Sequence, residues 1–289
     1  MHSRRGEHRP ADGVPAQLRI GYQSIPNGDL IVKHYGWLEE ALPDTEIIWS
    51  RFDSGGDVNT AFLAGELDIA LAGSAPVTRG LSQPLDIDYQ VAWIHDVIDD
   101  NEALVAVEGI TEVADLAGTT VAVPFASTTH YHLIAALDEA GLTVDDVTLL
   151  DLEPPDILAA WQRGDIDAAF VWYPVLGQLR AAGGTTLITS GELADRGKVT
   201  ADLGVVSTDF ATAYPEALAT WVEQQNRAVA LIQEDKAAAS KPSPPNSTWT
   251  PRKPKSRSTS SSSSTPQNKP PPITSAPPTT PAGWPNTSG

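Results

Sequence analysis

The 289-residue sequence contains no cysteine. Disulfides, thiolate metal sites, cysteine nucleophiles and a lipid-modified N-terminal cysteine are excluded by that alone. It has no apolar run of the ~20 residues that a bilayer span needs. The opening "MHSRRGEHRPADGVPAQ" is basic but lacks the apolar centre of a secretory signal, so no signal peptide is expected in the sequence as given. Acidic residues are missing too, but only locally. From Lys241 to Gly289 there is no Asp or Glu and there are six Lys or Arg, among many Pro, Ser and Thr. All 37 acidic residues therefore fall in the first 240, against 13 basic ones, giving that part a formal charge of −24. A body of that sign repels nucleic-acid phosphates, and no nucleic-acid partner is expected.

What is present is an alternation of strand-like and helix-like patterns. "QLRIGYQS" (Gln17–Ser24) reads as a strand broken at Pro26-Asn27-Gly28, helical periodicity covers Leu30–Leu42, and "TEIIWSRF" (Thr45–Phe52) is a second strand. "DSGGDVNTAFLAGE" opens with capping residues, Asp53 and Ser54, and sets Val58, Ala61 and Phe62 on one helical face, before a short strand at Leu67–Ala72. Strand, helix, strand at this spacing predicts parallel βαβ units. The pattern returns with a strand at Thr119–Phe125, a helix bearing Leu133, Ala136, Leu137 and Ala140, a strand in "VTLLDLEP", a helix at Pro155–Arg163 and a strand at Ile166–Trp172. One more strand (Asp202–Phe210) and an amphipathic helix carrying Leu218, Trp221, Val222, Val229 and Ile232 follow.

Two stretches nearly repeat each other: "AFLAGELDIALAGSAP" (Ala61–Pro76) and "AAWQRGDIDAAFVWYP" (Ala159–Pro174). Each runs from a helical turn through Gly plus acid (Gly65-Glu66, Gly164-Asp165) and an Asp two places on (Asp68, Asp167) into an apolar run and Pro. The spacing predicts equivalent helix-to-strand crossovers in two α/β lobes, with the four acids serving as turn chemistry. Ligands of open parallel sheets bind beyond the carboxyl ends of the strands, so two lobes presenting those ends to each other make a cleft.

"VPFASTTHYHLIAAL", "EPPDILAAWQRGDIDAAFVWYP", "RFDSGGDVNTAFLAGELDIALAGSAP" and "NEALV" together resemble the taurine receptors of bacterial ABC importers, within the aliphatic sulfonate and nitrate solute-binding group. The resemblance runs from about Leu18 to about Ile232. It implies an α/β, two-lobed periplasmic-binding-protein-like (type II) fold that captures a small anion or zwitterion and passes it to a membrane permease without chemistry. It implies a periplasmic or otherwise extracytoplasmic setting, a monomer, no cofactor and no metal. The expected division is a disordered leader at 1–16, the first lobe at 17–98, the second lobe at 99–203, a return to the first at 204–240 and a disordered tail at 241–289. The family's C-terminal helices, which pack on the first lobe, are replaced by the polar tail, so a C-terminally truncated first lobe is expected.

For the ligand, a sulfonate needs fixed hydrogen-bond donors rather than a titrating partner, because it stays ionised. Ser127, Thr128 and Thr129 give hydroxyls at the predicted start of a helix, where backbone N–H groups and the dipole favour an anion. An N-cap is the competing reading of the same run. Ser74 in "GSAP" is the donor expected from the other lobe. An ammonium calls for a carboxylate: the resemblance puts Asp202 first and Glu102 second, with a solvated surface role competing for each. Gln23 is a polar candidate, Trp172 and Tyr173 candidate walls. His130 is placed beside the hydroxyls, whereas His132, two positions on, is expected on the helix surface, and a shared metal at i and i+2 is excluded by geometry. Other classes find less support. A thiamine-pyrimidine synthase of the same fold needs a Cys-rich motif, and a regulator needs a DNA-binding helix-turn-helix that sixteen leader residues rich in Pro and Gly cannot supply. A truncated, inactive relative, or a receptor for nitrate or another alkanesulfonate, is the remaining alternative.

Overall fold

Each apolar alternation in the sequence becomes a strand, and the helical stripes become the layers that cover them. In the computed structural model, whose described residues are 13–235, the chain runs β1 (Gln17–Gln23), α1 (Gly28–Tyr35), α2 (Trp37–Ala41), β2 (Glu46–Phe52), α3 (Gly55–Leu63), β3 (Ile69–Gly73), α4 (Ser74–Gly80) and β4 (Tyr89–Val97). It continues through β5 (Glu102–Ala106), β6 (Thr120–Val123), α5 (Thr128–Glu139), β7 (Thr148–Asp151), α6 (Pro154–Arg163), β8 (Ala168–Trp172), α7 (Val175–Ala181), β9 (Thr185–Thr189) and α8 (Ser190–Asp195). β10 (Ala201–Ser207), α9 (Thr208–Ala213) and α10 (Pro215–Glu234) complete it. The expectations for residues 1–12 and for the tail lie outside the described residues.

Two five-stranded sheets result, ordered β2-β1-β3-β10-β4 and β7-β6-β8-β5-β9. The orders correspond position by position. In each sheet the first three strands are parallel and the fourth runs antiparallel to its neighbours, β10 in one and β5 in the other. Helices cover both faces, as parallel strands require. Thus Ile69 packs with Leu18, Ile20 and Trp221 on one side of the first sheet, while Ala70 and Ala72 pack with Val58 and Phe62 on the other. The second sheet divides likewise, with Val121 and Val123 facing Leu133 and Leu137, and Ala122 facing Ile157 and Ala160. The chain passes between the sheets twice, from Val97 to Glu102 and from Asp195 to Ala201.

The near-repeat has a shared structural cause. Gly65 and Gly164 end their helices in the left-handed region, at φ 70° and 73°. Three residues after each Gly, Asp68 and Asp167 clasp the neighbouring strand through two bonds. Asp68 N donates to Arg19 O (2.9 Å) and its carboxylate accepts from Arg19 N (2.8 Å). Asp167 N donates to Thr120 O (2.8 Å) and its carboxylate accepts from Thr120 N (2.8 Å). These two aspartates therefore do more than keep a turn solvated: each registers the third strand of its sheet against the second. Only Asp68 adds an ion pair, to the Arg19 guanidinium at 2.5 Å. One helix expectation is corrected. The periodicity over Leu30–Leu42 is divided between α1 and α2, because Gly36 caps α1 at φ 65° and turns the chain.

Candidate functional site

The parallel strands of both sheets end towards one another. At those ends lies a cavity of about 290 Å³, bordered by Gln23 at the end of β1, Gly73 at the end of β3, Ser127 and Thr128 at the start of α5, Trp172 at the end of β8 and Tyr173 next to it. The antiparallel strands start at the same place and contribute Asp202 and Glu102, and β4 ends there with Asp96. The volume is at the lower end of the ~300–1,000 Å³ usual for small-molecule pockets. A ligand of a few heavy atoms fits.

Seven of the ten residues singled out from the sequence border the cavity: Gln23, Glu102, Ser127, Thr128, Trp172, Tyr173 and Asp202. Three do not. Thr129, in the first turn of α5, is fully buried, with its hydroxyl 2.8 Å from Ser127 Oγ. His130 is stacked on Phe125 at 4.6 Å and its Nδ1 accepts from Ala126 N. Ser74 Oγ accepts from Ala201 N at 3.2 Å, tying α4 to the start of β10. Ser127 fills the competing role, capping α5 by accepting from His130 N while donating to Pro124 O. Three adjacent hydroxyls are thus not three free donors. The donors left at this helix start are backbone groups, since the first N–H groups of a helix have no intrahelical acceptor. Gly55, first residue of α3, also borders the cavity, so helix starts from both sheets meet there.

The electrostatics are one-sided. Among the residues lining the cavity there is no Arg, Lys or His, and there are three acids: Asp96, Glu102 and Asp202. Asp202 lies opposite Asp96 in the β10–β4 pairing and opposite Gly73 in the β10–β3 pairing. Glu102 is 4% exposed and Asp202 is 7% exposed. Burial, with Asp96 and Glu102 close by, pushes the Asp202 carboxyl well above the ordinary carboxylate range. Glu102 is pushed up to about 7, mainly by burial and further by Asp96, with hydrogen bonds from Thr128 and Ser190 opposing the rise. Asp96 is raised by burial as well, and its Oδ1 is buried with no hydrogen-bond partner. Like charges collected in a desolvated space favour a cation among them, which lets the carboxylates ionise together.

Two contacts join the sheets across this region. The Thr128 methyl lies against Gly73 of the other sheet, where an added Cβ would come within 2.7 Å of it, while Thr128 Oγ1 donates within its own lobe to Glu102 Oε1 at 2.7 Å. Further out, Ser54 Oγ donates to Glu153 Oε1 at 3.0 Å. The sequence reading missed Asp96, Gly73 and Glu153. Nothing in an acid-rich sequence separates one Asp from its neighbours, and the signal available for Asp96 was only its place before the first crossing between the sheets. His132 was expected on the helix surface and is instead fully buried, because α8 and β8 close over that side of α5.

Two α/β lobes around a small cleft are the architecture this geometry defines. The NMT1-like family matches residues 12–242, and the chain belongs to that family. It is similar to the taurine-binding periplasmic protein of Escherichia coli (strain K12), with 41% identity over 168 residues covering 58% of this chain and 52% of that protein. A putative aliphatic sulfonates-binding protein of Bacillus subtilis (strain 168) is 30% identical over 227 residues, 77% of this chain and 68% of that one. The chain spans about half to two thirds of the length of these curated relatives. Among solved structures, the alkanesulfonate-binding protein from Xanthomonas axonopodis pv. citri bound to MOPS superposes with a TM-score of 0.70 at 27% identity, covering 78% of this chain and 77% of that one. A desulfurization enzyme shares the fold at 18% identity, TM-score 0.57, covering 77% and 78%. The fold by itself therefore does not separate binding from catalysis.

Proposed function

We propose that the protein is a solute-binding receptor of an ABC importer, and that its ligand is taurine or a close ammonium-bearing sulfonate. One observation carries the choice of ligand: three carboxylates and no basic side chain border the cavity. A bare anion such as nitrate or ethanesulfonate finds no cationic partner among those side chains, whereas a zwitterion places its ammonium among Asp96, Glu102 and Asp202. The sulfonate then lies on the backbone N–H groups that open α5 and α3. Trp172, 9% exposed, bounds the apolar ethylene segment. The similarity to a taurine-binding protein and to a putative aliphatic sulfonates-binding protein supports this assignment.

The protein does no chemistry on the ligand in this reading. The chain has no cysteine, and the cavity has no histidine to act as base beside its hydroxyls. It acts as a monomer in the periplasm or an equivalent extracytoplasmic space and delivers the ligand to a membrane permease. The residues from Gln17 to Val97 and from Ala201 to Glu234 form one lobe, and those from Glu102 to Asp195 the other. Calorimetric titration of the full chain with taurine, β-alanine, ethanesulfonate and nitrate tests the reading. Taurine is expected to bind at least about thirtyfold tighter than ethanesulfonate, the least that loss of a partner to a buried charge costs. No heat and no thermal shift with any of the four overturns it.

A further inference from the structure

Behind the cavity wall a chain of polar groups runs away from the ligand space. Glu102 Oε2 is 3.0 Å from Ser190 Oγ, which is 2.7 Å from His132 Nδ1, and His132 Nε2 is 2.7 Å from the carbonyl oxygen of Lys198. His132 and Ser190 are both fully buried and neither borders the cavity. The carbonyl can only accept, so His132 Nε2 carries a hydrogen. Ser190 has one hydroxyl hydrogen and two neighbours. If Glu102 were ionised and His132 neutral, both neighbours would need that single hydrogen, and one buried acceptor would go unpaired, at a cost of ~1–3 kcal/mol. Two arrangements satisfy every atom. In one, Glu102 is protonated and donates to Ser190, which donates to His132 Nδ1. In the other, His132 is protonated at both nitrogens and donates to Ser190, which donates to an ionised Glu102. Both hold the same number of protons.

We propose that Glu102, Ser190 and His132 share one proton, and that an ammonium entering the cavity shifts it from Glu102 to His132. This inference rests on the receptor reading above. The step balances within the protein: the Glu102 O–H bond breaks as Ser190 takes that proton, and Ser190 passes its own to His132 Nδ1, forming the N–H bond. Glu102 gains the charge the ligand needs while the unit as a whole stays neutral. The acids that act on Glu102 are Asp96 on β4 and Asp202 on β10. Its basic counterpart is His132 on α5, 3.9 Å from the carboxylate. β8 sets Trp172 opposite Glu102, and α8 supplies Ser190. Burial holds Glu102 up and His132 down, which places the proton on Glu102 before a ligand arrives. His132 and Ser190 are thus positioning residues that select an ammonium-bearing ligand without touching it.

Ring-nitrogen NMR of the 15N-histidine-labelled full chain at pH 7 tests this, with the His132 signals assigned by their loss in His132→Gln. Ligand-free protein is expected to show His132 neutral, with its hydrogen on Nε2. Saturating taurine should protonate both nitrogens, and ethanesulfonate should leave them unchanged. Ser190→Ala should keep ethanesulfonate affinity, weaken taurine about tenfold or more, as loss of a hydrogen bond to a charged group does, and leave His132 neutral when taurine binds. A His132 spectrum that is the same with and without bound taurine overturns the proposal, as does an imidazolium already present without ligand. If wild-type protein binds neither ligand, the receptor reading fails separately. The ligand-free tautomer then decides alone: hydrogen on Nε2 with Nδ1 accepting supports the shared proton, and hydrogen on Nδ1 removes it.

Discussion

Asp202 stands between two other carboxylates, with Asp96 and Glu102 both acting on it. Replacing it with Asn keeps the shape and removes the charge. In the receptor reading, Asp202→Asn weakens taurine by about thirtyfold or more, the lower end of the ~2–5 kcal/mol cost of breaking a buried charge pair. Ethanesulfonate, with no ammonium, loses nothing and gains from the lowered repulsion. Calorimetric titration of both ligands checks this, and equal losses for the two would take Asp202 out of the site. At this scale the sequence showed which residue types the chemistry needs but not which copies supply them. The resemblance placed Asp202 and Glu102, and their burial at the cavity is what singles them out among 37 acids. His132 shows the opposite failure. The i and i+2 spacing says that His130 and His132 face different ways, but the packing of α8 and β8 decides which of the two is buried.

At the scale of elements, the close approach of β3 and α5 sets a second expectation. Gly73 ends β3 with ordinary extended angles, φ −64° and ψ 157°, so Ala is tolerated by its backbone. The added Cβ would nevertheless meet the Thr128 methyl at 2.7 Å. Thr128 cannot rotate away without giving up its hydrogen bond to Glu102. Gly73→Ala is therefore expected to hold the two elements apart, weakening taurine and ethanesulfonate alike by severalfold while the ligand-free melting temperature changes little. Selective loss of taurine alone would show that the glycine acts on the charge cluster instead. Strands and crossovers were legible in the sequence because each carries a local pattern, period two or a Gly followed by acid. The clasp of Asp68 on Arg19 and of Asp167 on Thr120 was legible only as a repeat. Its partners sit 49 and 47 residues away, and no local pattern names them. The division of α1 from α2 was overlooked because the apolar stripe continues across Gly36, although a glycine there was the available signal.

Over the whole molecule, one titratable group spans the two sheets outside the ligand cavity. Glu153, at the start of α6, accepts from Ser54 at the start of α3, and its Oε2 is buried without a partner. Burial raises its carboxyl to about 7; the Ser54 hydrogen bond opposes this, and Asp57, Asp151 and Asp53 add to the rise. Separating the lobes would return Glu153 to water and to an ordinary carboxylate range near 4.3. A group whose value is higher in the closed form binds a proton on closing, so closure is favoured at low pH and disfavoured as pH rises from about 4.5 to about 7. Above that window the penalty is constant. Glu153 should weaken taurine binding across this range, against the gain as Asp202 ionises, and Glu153→Gln should remove the Glu153 component by taking away both the proton and the repulsion between the acid clusters. Small-angle scattering gives the independent reading: the radius of gyration should fall on adding taurine, and at pH 8 subsaturating taurine should contract the variant more fully than the wild type. Identical pH profiles for the two proteins would mean that Glu153 is equally solvated in both forms and that the Ser54 contact plays no part in closing the cleft.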